Sequence, residues 1–103
     1  MNIITIPATG NTPIKLDTTP LAGGYGREAK VHLGSNTGVA TGVLLQGHPG
    51  MPDGSTPAAG DAGWATLLSA PQTSPVVEIE DLPMWIRKGG ATLTGPLTLE
   101  GVQ

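Results

Sequence analysis

Apolar and polar residues alternate with a period of two along most of this chain, and no window repeats its apolar positions at helical spacing. The pattern predicts strands. The first apolar run, NIITI, ends at Pro7, and PIKLDT then sets Ile14 and Leu16 against Lys15 and Asp17, with ATGNT as a turn between them. Pro13 predicts a strand start or an edge position, because proline cannot donate to a ladder. LAGGYG interrupts the chain. REAKVHLGS follows with Ala29, Val31 and Leu33 on one face and Glu28, Lys30 and His32 on the other.

SNTG reads as a turn, and GVATGVLLQG carries Val39, Thr41, Val43 and Leu45 in phase, so these two strands are expected to form a hairpin. Residues 47–63, GHPGMPDGSTPAAGDAG, hold five glycines and three prolines without alternation and predict one long surface loop. Order returns in WATLLSA, PVVEIED and LPMWIRKG. In the final stretch, ATLTGPLTLEGV, Leu93, Leu97 and Leu99 oppose Thr94, Thr98 and Glu100, with Pro96 marking a bulge or an edge. About seven or eight short strands separated by turn signals predict an all-β fold, a single antiparallel β-sandwich of Greek-key or jelly-roll type with long Gly/Pro-rich loops. Residues 21–103 are expected to form that domain, and residues 1–20 an N-terminal arm or edge strand. The apolar Ile3, Ile4 and Ile6 of that segment could reach a neighbouring subunit or form an ordinary first strand.

Composition narrows the function. A chain of 103 residues is one domain, too small for a deep internal site, and its 16 glycines and 10 prolines sit between apolar alternations as turns do. Charged residues are 13% of the chain and the formal net charge is -3, a poor surface for nucleic acid. No apolar run is long enough for a helical membrane span, and MNIITIPATG lacks the layout of a signal peptide. With no cysteine, neither disulfides nor thiolate metal sites hold the domain, so core packing or homo-oligomerisation as a dimer or trimer must do so.

Candidate chemistry is sparse. Glu78 and Glu80 fall on the same side of one strand, whereas glycosidase carboxylates must flank the scissile bond, so they read as a solvated face. His32 and His48 lack further ligands at metal spacing, Asp53 being the acid nearest His48 in sequence. No serine stands in a nucleophile elbow, and GGYGR lacks the Lys-Ser or Lys-Thr of a phosphate loop. The expectation is a protein that is not an enzyme and takes no cofactor or metal. Trp64, which opens a strand, is expected in the core; Trp85 is expected near a corner made by Leu82 and Pro83, with Arg87 turned outward to a partner.

From Val43 onward the order of VLLQGH, a Gly/Asp/Ser loop, WATLLSA, an acidic-apolar strand into LPMWIR and a terminal TLEGVQ resembles small β-sandwich decoration proteins of tailed-phage capsids. The resemblance covers roughly the last 60 residues. It implies a virion protein made in the host cytoplasm, located on the capsid exterior and bridging major capsid subunits. Ile3, Ile4, Ile6, Met84, Trp85, Arg87 and Lys88 are the expected partner contacts. A carbohydrate- or host-surface-binding module of a phage tail or baseplate is the alternative, using Trp85, Arg87 and the 47–63 loop.

Overall fold

The computed structural model describes residues 3–16 and 27–102. Eight strands run in chain order: β1 (Ile3–Ile6), β2 (Ile14–Lys15), β3 (Arg27–His32), β4 (Val43–His48), β5 (Ala65–Ser69), β6 (Val76–Leu82), β7 (Trp85–Lys88) and β8 (Leu97–Val102). They form two four-stranded antiparallel sheets, ordered β1-β8-β3-β6 and β2-β7-β4-β5. Within the sheets β1 pairs with β8, β2 with β7, β3 with β6 and β4 with β5. A long antiparallel ribbon with its tip between β4 and β5, rolled so that β8 meets β3 and β7 meets β4, gives this order. It is the jelly-roll arrangement of the β-sandwich.

The core lies between the sheets and is built from short aliphatic side chains. Ile4 and Ile6 of β1, Ala29 and Val31 of β3, and Leu97 and Leu99 of β8 alternate inward, meeting Leu45, Leu68 and Ile86 in the same cluster. Strand β1 is therefore an ordinary edge strand of its own sheet. Ile4 and Ile6, expected as contacts to a neighbouring subunit, instead bury inside their own domain, because their phase matches the inward face of β8. The LAGGYG break and residues 17–20 of the expected arm lie outside the described residues.

Two local features depart from simple alternation. Ile79 and Leu82 of β6 both face the core although three residues apart. The register with β3 shifts by one between them, and Asp81 takes a left-handed φ of 54°. A bulge there re-phases the strand, and a short acidic side chain tolerates that backbone better than a branched one. The expected β3–β4 hairpin is not formed, since β3 pairs with β6 and β8 while β4 pairs with β5 and β7. A 3₁₀ turn, Gly34–Gly38, carries the chain to the facing sheet. Its buried Asn36 donates Nδ2–H to the Gly95 carbonyl (2.9 Å) and accepts the Thr94 N–H at Oδ1 (2.8 Å), tying the crossover to the segment before β8.

The corner at Leu82–Pro83 is as expected, with β6 in one sheet and β7 in the other. Pro13 and Pro96 each stand one residue before a strand, where the missing N–H costs no ladder bond. The whole is a thin slab of 38 × 31 × 18 Å.

Candidate functional site

The two outer faces of the slab differ in kind. On the β2-β7-β4-β5 sheet, cross-strand register sets Lys15, Trp85 and His48 in one row and Arg87, Gln46 and Thr66 in the next. Alternation along VLLQGH and LPMWIR places these residues opposite the inward-facing Ile86. The segment from Pro49 to Trp64 connects β4 to β5 and folds back over them.

Arg87 fastens that loop to the sheet. Its Nε–H donates to Gln46 Oε1 at 2.8 Å, and Nη1–H donates to the Ala59 carbonyl at 3.0 Å. Its guanidinium carbon lies 3.9 Å from the centroid of the Trp64 ring. Arg87 is consequently 7% exposed, which corrects the outward orientation expected for it. Its position on the strand was foreseen, but the loop that covers it returns from outside the strand pattern. Trp64, expected in the core, is half-buried outside the sheet, where its Nε1–H donates to the Ala58 carbonyl at 2.9 Å. Trp85 is the more buried tryptophan, with Lys15 Nζ 5.8 Å from its ring centroid.

His48, 2% exposed, holds the other end of the loop. Its ring meets the Trp64 ring edge-on at 5.1 Å. The Gly50 N–H donates to Nδ1 (2.9 Å), which fixes the tautomer, so Nε2–H donates to Asp61 Oδ1 (2.7 Å). Asp61 also accepts the Gly63 N–H at 2.8 Å. The imidazole hydrogen bond, then the Gly63 N–H, hold the Asp61 carboxyl below its ordinary pKa. Both ring nitrogens are engaged, so this His-Asp pair has no lone pair left to take a proton from a nucleophile. A Cβ at Gly63 would press on the His48 ring, so this turn needs glycine. The partner of His48 is thus Asp61 and not the nearer Asp53, whose carboxylate accepts the N–H and hydroxyl of Ser55 in a turn of its own. Among the described residues no group of three or more His, Asp or Glu is placed to hold a metal.

The opposite face, on β1-β8-β3-β6, is bare of any covering loop among the described residues. One row runs Ile3, Glu100, Lys30, Glu78, and the next Thr5, Thr98, His32, Val76. His32 Nε2 lies 3.0 Å from Glu100 Oε1, and these two line a shallow depression of about 440 Å³ together with Ile3 and Thr98. Ile3 and Val76, 45% and 37% exposed, are the large apolar side chains left open to solvent among the described residues, and they stand on opposite edges of this sheet. Glu78 and Glu80 are exposed on β6, as a solvated strand face requires.

The residues expected to contact a partner therefore separate. Ile3 lies on the bare face; Ile4 and Ile6 lie in the core; Trp85 and Arg87 lie beneath the loop; Met84 and Lys88 are half-buried beside them. Gln46, His48 and Asp61 were not singled out as a set. Alternation along VLLQGH already places Gln46 and His48 on one face, but nothing local to the sequence shows that Asp61 returns to meet them. No family model, curated protein or solved structure matches the chain.

Proposed function

We propose that this chain is a structural protein of a phage particle, decorating the capsid exterior and bridging neighbouring major capsid subunits as a dimer or trimer. The observation that carries this reading is the contrast between the two faces. One sheet is covered by the chain's own loop, with its aromatic and cationic side chains occupied internally. Among the described residues the other carries no covering loop, and its outward side chains are exposed or half-buried.

An open sheet face suits docking by surface complementarity. Ile3 and Val76 flank it three strand spacings apart, roughly 14 Å, supplying apolar anchors at both edges. Between them Glu100, Lys30 and Glu78 alternate in sign across neighbouring strands, a pattern that selects register in a partner more than it adds affinity. The outer edge of β1 offers its backbone groups for strand addition. A stable contact would bury about 1,200 Å² or more, which a slab of this breadth can provide. The carbohydrate-binding alternative needs an open tryptophan face, but Arg87 covers one face of the half-buried Trp64 ring and Trp85 is buried.

Co-sedimentation of the purified chain with shells stripped of it tests the proposal. Ile3→Glu and Val76→Glu should leave the fold intact, both positions being exposed, and weaken shell binding about tenfold or more by setting a charge into an apolar contact. Undiminished binding by both variants moves the contact off this face. No binding by the unaltered chain removes the capsid role.

A further inference from the structure

We propose that the groove where β7 runs out into the β7–β8 connection is an oxyanion-binding site, taking a carboxylate, sulfate or phosphate group on the free edge of Arg87. The groove is open, about 430 Å³, and is walled by Asn11, Gln46, Arg87, Lys88, Gly89 and Gly90 among others. Among the described residues its wall contains two cations and no carboxylate, in a chain whose formal net charge is -3.

Arg87 is the cation at the centre of this groove's chemistry. Two of its N–H donors are used, by the Gln46 side chain and the Ala59 carbonyl, both neutral acceptors. Among the described residues no carboxylate pairs with it, and burial pushes its pKa down. A buried cation without a counter-charge gains more from an arriving anion than a surface cation does, because less solvent screening opposes the attraction. Among the described residues its Nη2 meets no protein acceptor. No buried side-chain nitrogen or oxygen among the described residues lacks a partner, so Nη2 keeps some access to solvent, and Arg87 is one of the residues that line the groove. That planar edge matches an oxyanion.

The neighbours complete a donor set. Gln46 accepts from Arg87 through Oε1, which fixes the orientation of its amide and leaves its NH₂ as a donor at the groove wall. Lys88 Nζ–H donates to the Gly89 carbonyl at 2.9 Å, holding the ammonium at the rim with further protons to give. Gly89 and Gly90 present no side chain to keep an anion away from the backbone. The groove is separate from the bare sheet face, and the site stands whether or not that face docks on a shell.

Titration of the isotopically labelled full chain, followed by ¹H–¹⁵N spectra, tests it. The probes are sodium sulfate, sodium phosphate, sodium acetate and sodium glucuronate, each compared with sodium chloride at equal ionic strength. Saturable shifts of the Arg87 Nε–H and the Gly89 and Gly90 amides, with the Gly54 amide unmoved, are the expected result. Glucuronate binding tighter than acetate would assign the groove to acidic sugars; equal or tighter acetate binding would assign it to side-chain or terminal carboxylates. Sulfate or phosphate binding above both would assign it to tetrahedral anions. Lys88→Gln should keep the same amide dispersion and weaken the preferred anion about fivefold, a charge-assisted contact being lost. Non-saturating shifts, shifts matched by chloride, or unchanged affinity in Lys88→Gln would overturn the site.

Discussion

A single side chain, Arg87, decides whether the longest loop of this protein is a surface appendage or part of its second layer. The stack on Trp64 and the bonds to Gln46 and Ala59 all vanish on truncation. Arg87→Ala should therefore cost about 2–4 kcal/mol in urea unfolding, combining lost stem packing with two charge-assisted bonds. Trp64→Ala should cost less than the roughly 3–5 kcal/mol of a core tryptophan, because its ring is only half-buried and lies outside the sandwich. Both variants should speed proteolytic cleavage within residues 49–63. Asp61 makes a pH-dependent contribution at the other end of the loop. Its folded pKa is lowered, so the stability it lends is complete above the unfolded value near 4 and disappears as pH falls through the folded pKa. In acid unfolding followed by fluorescence, Asp61→Asn should be less stable than the parent at neutral pH and should flatten the limb below about pH 4. The sequence shows Arg87 and Gln46 sharing a face, since that follows from period two. It does not show that Arg87 is buried, because the covering atoms, Ala59 and Trp64, lie well away in sequence and carry no matching periodicity.

Among the elements, the strands themselves were legible and their partners were not. Each observed strand falls within a stretch read as strand from the sequence, although β4 runs on to His48, into the expected loop, and the Leu82–Pro83 corner follows from proline chemistry. The supposed β3–β4 hairpin failed because SNTG forms a 3₁₀ crossover anchored through Asn36 to residues 94 and 95, a contact some sixty positions away that no local pattern encodes. The β6 bulge was equally hidden: EIEDL reads as steady alternation until Asp81 takes its left-handed turn and brings Leu82 inward. Strand β1 gives the clearest test at this scale. Ile6→Ala should cost about 2–5 kcal/mol, as for any fully buried aliphatic truncation, whereas Ile3→Ala should fall within about 0.5 kcal/mol of the parent. Equal and small effects in denaturant unfolding would mean that β1 is held outside its own sheet, as an arm would be. Gly89 offers a second test. A Cβ there would fall on the Val43 carbonyl, beside the bonds Gly89 N–H to Leu44 O and Ala91 N–H to Val43 O, so Gly89→Ala should destabilise by about 1–3 kcal/mol through backbone displacement.

For the whole molecule, the asymmetry between a self-covered face and a bare one is what gives the slab a direction. The covered face holds Trp85 and Arg87 buried and Trp64 half-buried, while the row of Ile3, Glu100, Lys30 and Glu78 lies on the opposite face. Low charge, abundant turns and no nucleophile-base set raise the expectation of a protein working by surface; composition could not say which surface, because both sheets carry polar outward residues. Cryo-electron microscopy of phage particles assembled in the presence of this chain tests the proposed capsid role. A capsid role requires density for the jelly roll in a regular lattice on the shell exterior, with the β1-β8-β3-β6 face against the major capsid subunits and the 49–63 loop facing away. Density confined to a fibre tip or baseplate, or a lattice in which the loop-covered face makes the capsid contact, would contradict it.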